Sequence, residues 1–272
     1  LGPSLDYNLV RQQLDFLRRR RVLPPVPVRI NHPINWLSQT LHEVHDLSSQ
    51  PTAPAQATTL SAHDETSCLC MACDDESCDF RPVEFLRRPV GELDVRIKVL
   101  FCGVCHSDLT VAARRSPLSV HYPLVPGHEA VGVCVQLGAA VTKIKIGDHV
   151  GIGPLVDSCL QCHSCISGEE QQCAKQVPTY NGYDWSGRAA TGGHVPYTVG
   201  GYSTSMVVHE RFCILIPPGY PLEHAGPIMC AGTTMYNPMK KAGVQPGTRL
   251  GIIGLGGLGM MGIQLGKALG CE

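Results

Sequence analysis

The chain shows few of the global biases that narrow function on their own. Its 272 residues carry 22 Lys and Arg against 23 Asp and Glu, a formal net charge of −1, so no polyanion-binding surface is implied. No apolar run is long enough to span a membrane, no secretory signal is visible and no internal repeat is apparent. The tetrad His42-Glu43-Val44-His45 is not H-E-x-x-H, because its histidines stand three apart, and it takes no metal role. What is present is cysteine. Fourteen of them in a chain without a visible secretory signal point to metal and thiol use rather than to a disulfide scaffold, and to a cytoplasmic setting. The length suits one or two domains, and many Gly and Pro residues between short Val/Ile-rich runs suit a β-rich one.

Cys159, Cys162, Cys165 and Cys173 are spaced C-x2-C-x2-C-x7-C. Four thiolates at such intervals can close a tetrahedral zinc site without help from elsewhere in the chain. Disulfides between such close neighbours are sterically awkward. A second set of possible ligands is spread more widely. Phe101-Cys102-Gly103-Val104-Cys105-His106-Ser107-Asp108 precedes the quartet, as does Pro126-Gly127-His128-Glu129, and Cys230 comes well after it. Together these offer thiolate, imidazole and thiolate, which suits a zinc with one open position. Cys102 and Cys105 compete as the first thiolate, and spacing cannot choose between them.

Arg249–Ile253 reads as a short buried strand, followed by Gly254-Leu255-Gly256-Gly257-Leu258-Gly259 and a helix through about Leu269. This is G-x-G-x-x-G between strand and helix, the context of a dinucleotide fingerprint. Gly254 permits the tight turn, Gly256 the approach of the backbone to a pyrophosphate, and Gly259 the packing of helix on strand.

The motifs FCGVCHSDL at 101–109, PGHEAVG at 126–132, the cysteine quartet, GGYS at 200–203, CAGTTMY at 230–236 and GIIGLGGLGMMGIQLGKALG at 251–270 occur in one order. On these the chain resembles the zinc-dependent medium-chain alcohol dehydrogenases, most closely their cinnamyl-alcohol-dehydrogenase-like branch, from about Pro82 onward. The resemblance implies an α/β fold: a β-rich GroES-like catalytic domain followed by the start of a Rossmann dinucleotide-binding domain. It implies Cys105, not Cys102, with His128 and Cys230 as ligands of a catalytic zinc, and Glu129 as an acid able to approach the metal. It makes Asp108 the carboxylate behind the ligands, Ser107 the hydroxyl that takes the alcohol's proton, and His106 a cationic contact to the cofactor pyrophosphate. Thr234 falls near the nicotinamide end, and the quartet holds a structural zinc. The expected cofactors are two zinc ions per chain and NADP or NAD. The expected partner is a small alcohol or aldehyde, with a homodimer as the full-length form.

Departures from the family pattern shape the substrate expectation. Thr110 stands where many relatives carry a His that ends the proton relay, and Pro178 where lignin-forming members carry a bulky aromatic. A general alcohol or aldehyde is therefore expected rather than a dedicated monolignol. Two alternatives are a polyol-type zinc dehydrogenase and a non-catalytic zinc-binding protein.

The expected organisation is a disordered extension over 1–70, the zinc-binding domain over 71–230, and the first βα unit of a Rossmann domain over 231–272. Within the extension lie Arg18-Arg19-Arg20-Arg21, a Pro-rich stretch at 24–27 and a Ser/Thr/Pro/Ala/Gln run at 48–62, a composition unable to bury a core. Met71 reads as a candidate start. Cys68, Cys70, Cys73 and Cys78 are read as a disordered, reduced cysteine-rich run rather than a metal site. Strands are expected at 95–101, 130–137, 141–146, 148–152 and within 198–216, a zinc-held loop over 154–178, and helix from Glu223 to Lys241 broken at Pro227 and Pro238. A dinucleotide fold needs more strands than the chain carries, and the residue that reads the ribose comes about 20 positions beyond the glycines. The chain is accordingly expected to be a fragment that binds zinc poorly or folds only partly by itself, and does not turn over substrate.

Overall fold

The structure, a computed structural model, describes residues 66–117, 119–185 and 197–272. The expectations for the arginine run, the Pro-rich stretch, the 48–62 run and the His42/His45 pair lie outside these residues. The described elements, in chain order, are β1 (Ser67–Ala72), β2 (Arg81–Leu86), β3 (Asp94–Cys102), α1 (His106–Ala112), β4 (Ala130–Leu137), β5 (His149–Ile152), β6 (Leu155–Asp157), α2 (His163–Ile166), β7 (Val177–Pro178), β8 (Ser205–His209), β9 (Ile214–Leu215), α3 (Thr233–Lys241) and α4 (Gly257–Leu269).

The centre is a five-stranded antiparallel sheet in the order β8-β3-β4-β5-β9. The alternation of Val95 and Ile97 along β3 buries both side chains completely. Successive residues of a strand face opposite sides, and β4 uses this to serve two cores. Ala130 packs with Val95, Ile97, Val150, Ile152, Met206 and Phe212. Val131 packs with Ile228, Met229, Met239, Met261 and Leu265, the cluster that seats α3 and α4.

The register of β3 on β4 does most to position the site. Cys102 pairs with Ala130, so the chain leaving β3 emerges beside the chain entering β4. Residues 103–105 and 126–129 therefore share one end of the sheet. A third segment locks them. Gly200 N–H donates to Val125 O (2.9 Å), Gly201 N–H to Gly127 O (2.8 Å) and Tyr202 N–H to Pro126 O (3.0 Å).

Several expectations are corrected. Cys68 and Cys70 are not part of a disordered run: with Ala72 they form the buried face of β1, which pairs with β2. Cysteine behaves here as a small hydrophobe on an alternating strand. β1 thus starts before the boundary expected at 71. Residues 141–146 are not a strand. Thr142 and Lys143 donate their N–H groups to Glu210 Oε2 (both 3.0 Å), and Lys145 donates to Asp148 Oδ2 (2.8 Å), so side-chain carboxylates take the donors that a neighbouring strand would have taken. Residues 249–253 form no ladder either. Their link is to the chain end, Leu250 N–H on Glu272 O and Glu272 N–H on Thr248 O (both 3.0 Å), and Ile253 is fully exposed. A parallel strand is made by strands on its edges, and none of the described strands lies beside this one. The lobe 154–178 is not loop throughout, because β6 and β7 pair at its base and α2 lies inside it. Neither proline breaks the helical stretch: Pro227 is itself in helical conformation as the N-cap of a π-helical turn, Ile228–Gly232, and Pro238 lies inside α3. No described helix is long and apolar enough to cross a membrane.

Gly127 has φ of +101°, and a Cβ there would lie 2.6 Å from Tyr202 N. Replacing it with Ala should cost about 1–3 kcal/mol of unfolding free energy. Chemical denaturation of Gly127→Ala beside the parent measures this.

Candidate metal centre and cofactor turn

Three separate stretches bring the first ligand set together. Cys105 is the N-cap of α1, just past the end of β3. His128 and Glu129 immediately precede β4, and Cys230 projects from the π-helical turn. Wide turns of this kind recur at functional positions. The ligand atoms of Cys105, His128, Glu129 and Cys230 all lie within 4.8 Å of one another, and the two sulfurs are 3.9 Å apart. Cys102 is not in this group. It sits at the end of β3, its Sγ directed to Gly103 O at 3.7 Å, and burial pushes its thiol up. Gly103 makes room for the acid: a Cβ there would run into the Glu129 carboxylate.

Behind the ligands, Asp108 is fully buried and takes four donors. Its Oδ1 accepts from Gly127 N–H (3.1 Å) and pairs with His128 Nδ1 (2.9 Å). Its Oδ2 accepts from Cys105 N–H (3.1 Å) and Tyr202 O–H (2.9 Å). Burial opposes its ionisation, yet the bonds from His128, Cys105 and Gly127 hold it below the usual carboxylate range. With Nδ1 engaged, His128 has Nε2 left for a metal, the arrangement that fixes tautomer and ring in zinc sites.

The electrostatics are those of ligands crowded together. Cys230 beside it draws the Cys105 thiol down to about 3, against burial and with help from His128 and Ser107. The same contact, reinforced by burial, drives Cys230 upward. Burial works to lower His128, but the hydrogen bonds to Asp108 and Cys105 outweigh it and raise the ring to about 10. Burial lifts Glu129 to about 7. A divalent cation removes this conflict, since it favours every ligand in its deprotonated form. Two sulfurs, an available imidazole nitrogen and a carboxylate fit zinc.

The remaining residues named from sequence fall as follows. His106 and Ser107 are exposed in the first turn of α1, and Thr110 is half-buried further along the same helix. Pro178, in β7, is exposed. Thr234 is half-buried in α3. Gly254 has φ of +89°, and a Cβ on Gly259 would collide with Gly254 O. Gly256 is the N-cap of α4, with Gly257 and Leu258 in its first turn, and a Cβ on Gly256 or Gly257 would meet nothing within 4 Å. Leu255 is largely exposed. The turn is open at the helix N-terminus, where phosphate oxygens are favoured.

The quartet converges as well, with all four sulfurs within 4.8 Å of one another. The Cys159–Cys165 separation is 3.8 Å and the Cys162–Cys165 separation 3.5 Å. Four sulfurs bound to one zinc at about 2.3 Å stand about 3.8 Å apart, and a disulfide needs about 2.05 Å. Backbone N–H groups of Cys162 and Lys175 point at Cys159 Sγ (3.4 Å) and Cys173 Sγ (3.3 Å). Arg211 ties the lobe to the sheet through Glu170 and Cys165 O.

Two tyrosines had no assigned role in the sequence. Tyr202 lies in the GGYS stretch and bonds Asp108 directly. Tyr180 faces the site, its ring centroid 5.8 Å from that of His128. Nothing in their spacing marks them, because both reach the site through the fold.

Replacing Asp108 with Asn keeps the shape but removes the charge that balances His128 and turns an NH2 toward a donor. The expected loss is about 3 kcal/mol. Because the carboxyl is depressed in the folded state, the parent's advantage is present above the ordinary Asp pKa and fades as pH falls through the folded value. Urea titrations of Asp108→Asn and parent at pH 7 and below pH 4 read both effects.

Residues 91–218 match the family model for the alcohol dehydrogenase GroES-like domain. A probable cinnamyl alcohol dehydrogenase of Oryza sativa subsp. japonica is 48% identical over 208 residues, which cover 76% of this chain and 56% of that protein. Cinnamyl alcohol dehydrogenase 8 of Arabidopsis thaliana is 48% identical over 203 residues, covering 74% of this chain and 54% of that protein. The chain thus spans about half the length of the relatives it matches. Among solved structures, a cinnamyl alcohol dehydrogenase from Sorghum bicolor aligns with a TM-score of 0.71 at 44% identity, over 75% of this chain and 56% of that one. One from Helicobacter pylori, complexed with NADP(H), aligns with a TM-score of 0.71 at 38% identity, over 76% of this chain and 58% of that one. Residues 91–218 are thus similar to the alcohol dehydrogenase GroES-like domain, and the chain is similar to the cinnamyl alcohol dehydrogenases over the stretch they share.

Proposed function

We propose that the chain supplies the zinc-binding catalytic part of an NADP-dependent alcohol dehydrogenase that interconverts a primary alcohol, aromatic or allylic, and its aldehyde. The observation that carries this is the meeting of Cys105, His128, Glu129 and Cys230 within 4.8 Å, with His128 Nδ1 held by Asp108. When bound there, zinc supplies Lewis acidity toward a substrate oxygen, and the nicotinamide supplies the hydride acceptor or donor.

The chain's own residues do the rest. Cys105 and Cys230 bring the thiolates and His128 brings Nε2. Asp108 fixes the imidazole and keeps it from turning. Glu129 stands behind them as a carboxylate that can replace a departing ligand. Ser107, exposed on α1, takes the substrate proton and passes it outward, since a hydroxyl both donates and accepts. Half-buried Thr110 extends that path through water but does not titrate near neutrality. His106, the turn from Gly254 to Gly259 and Thr234 are the residues that would hold the cofactor, the first two at its pyrophosphate and Thr234 at its nicotinamide end. The quartet of Cys159, Cys162, Cys165 and Cys173 holds a second, structural zinc. Exposed Pro178 offers little to grip a flat aromatic ring, which favours a broad aldehyde range over one monolignol. Complete turnover and a homodimer are proposed for a polypeptide that also carries the remaining strands of the dinucleotide-binding half.

Metal analysis tests the centre of this reading. Both ligand sets converge within this chain, so, against the expectation of poor zinc binding by the chain alone, the purified chain should hold two zinc ions, Cys105→Ser one and Cys162→Ser one; a parent with fewer than two refutes the reading. Zinc uptake at the Cys105 site should release roughly two protons near pH 7, from Cys230 and His128, both of which are raised in the metal-free site. Uptake should weaken as pH falls, because protons then compete for both ligands. Titration in weak buffer with a pH indicator measures the release.

A further inference from the structure

We infer that Tyr202 is a positioning residue for the metal centre, acting through Asp108 on the ring of His128. The inference rests on the reading of that centre as a zinc site. Asp108 has no contact with water, so each of its lone pairs must be met by the protein. Three of its four donors, the N–H groups of Cys105 and Gly127 and the His128 ring, belong to the ligand segments themselves. Tyr202 O–H, at 2.9 Å from Oδ2, comes from elsewhere, and the Tyr180 side chain also reaches the carboxylate. Remove it and Oδ2 keeps Cys105 N–H, while Oδ1 keeps both its partners. Oδ2 is then held by one donor instead of two, and the orientation the carboxylate gives the His128 ring is less firmly fixed.

The tyrosine is unusually well placed for this work. Its own N–H donates to Pro126 O (3.0 Å), and Gly201 N–H donates to Gly127 O (2.8 Å). On the other side its carbonyl accepts from Met71 N–H of β1 (2.8 Å). One residue therefore grips the His128 loop by backbone and its supporting carboxylate by side chain, while anchored to a separate strand. The ring also packs edge-on against Phe80, centroids 6.4 Å apart, so a phenylalanine fits the same space. Tyr202→Phe removes the hydroxyl and leaves the backbone clamp and the ring in place. A hydroxyl that served only the fold would change stability without distinguishing between the two metal sites.

The experiment follows zinc release from the whole chain to the chromogenic chelator 4-(2-pyridylazo)resorcinol. Cys105→Ser identifies which kinetic phase belongs to which site. Tyr202→Phe should release the zinc of Cys105, His128 and Cys230 roughly tenfold faster, with the quartet's phase unchanged. The visible bands of cobalt(II) placed at the same site should shift in the variant. Adding Asp108→Asn to Tyr202→Phe should cause a smaller loss than the same change in the parent, because the two act in one line. Equal release rates in parent and Tyr202→Phe overturn the inference. Loss of both metals together also overturns it, since the hydroxyl would then serve the fold at large. A parent that releases only the quartet's zinc refutes the metal centre itself, a result distinct from either.

Discussion

Everything at the candidate site leans on a carboxylate sealed from water. Asp108 carries its charge among four donors, and those donors come from the start of α1, from the loop before β4 and from the 200–203 segment. A buried charge is tolerated only when it is fully met, and here the need to meet it draws separate pieces of chain into one arrangement. The sheet does the coarse alignment by pairing Cys102 with Ala130; the carboxylate does the fine alignment. Crowded sulfurs, an imidazole and Glu129 then face each other at distances that favour a cation over protons.

How much could be read in advance depended on how local each feature is. The quartet was readable because all its spacing lies in one short segment, and its sulfurs converge in the structure. The strand expected at 95–101 showed itself by alternation and is observed as Asp94–Cys102, and the strand expected at 130–137 is observed with those bounds. The choice between Cys102 and Cys105 was not open to spacing, because it turns on where β3 stops: Cys102 is still in the strand, and Cys105 has already turned onto α1. Tyr202 and Tyr180 were silent because they approach through tertiary packing. Residues 141–146 looked like a strand and are not one, since Glu210, brought in from after β8, takes their donors. Cys68 and Cys70 went the other way: they belong to a run read as disordered, reduced and cysteine-rich, and both are buried on β1.

The glycine turn shows a different limit. Its local geometry needs only its own residues, and Gly254, Gly256 and Gly259 adopt it with a positive φ, an N-cap and a close backbone approach. The strand leading into it is a cooperative object, made by its neighbours, and without described strands on its edges it is an extended segment ending in exposed Ile253 and Leu255. Motif and fold are thus separable here, the first set by single residues and the second by strand pairing.

The two ligand sets also differ in how far apart they lie along the chain. Cys105 and Cys230 are separated by 125 positions, whereas the quartet runs from Cys159 to Cys173. Closing a long loop costs more entropy than closing a short one. As the polypeptide leaves the ribosome, the small lobe therefore has all four of its sulfurs once Cys173 has emerged. The other set must wait for Cys230, with His128 and Cys105 already synthesised and lacking their third partner. On the proposed reading that both sets hold zinc, the spacing of the ligands sets the order in which the two sites become complete.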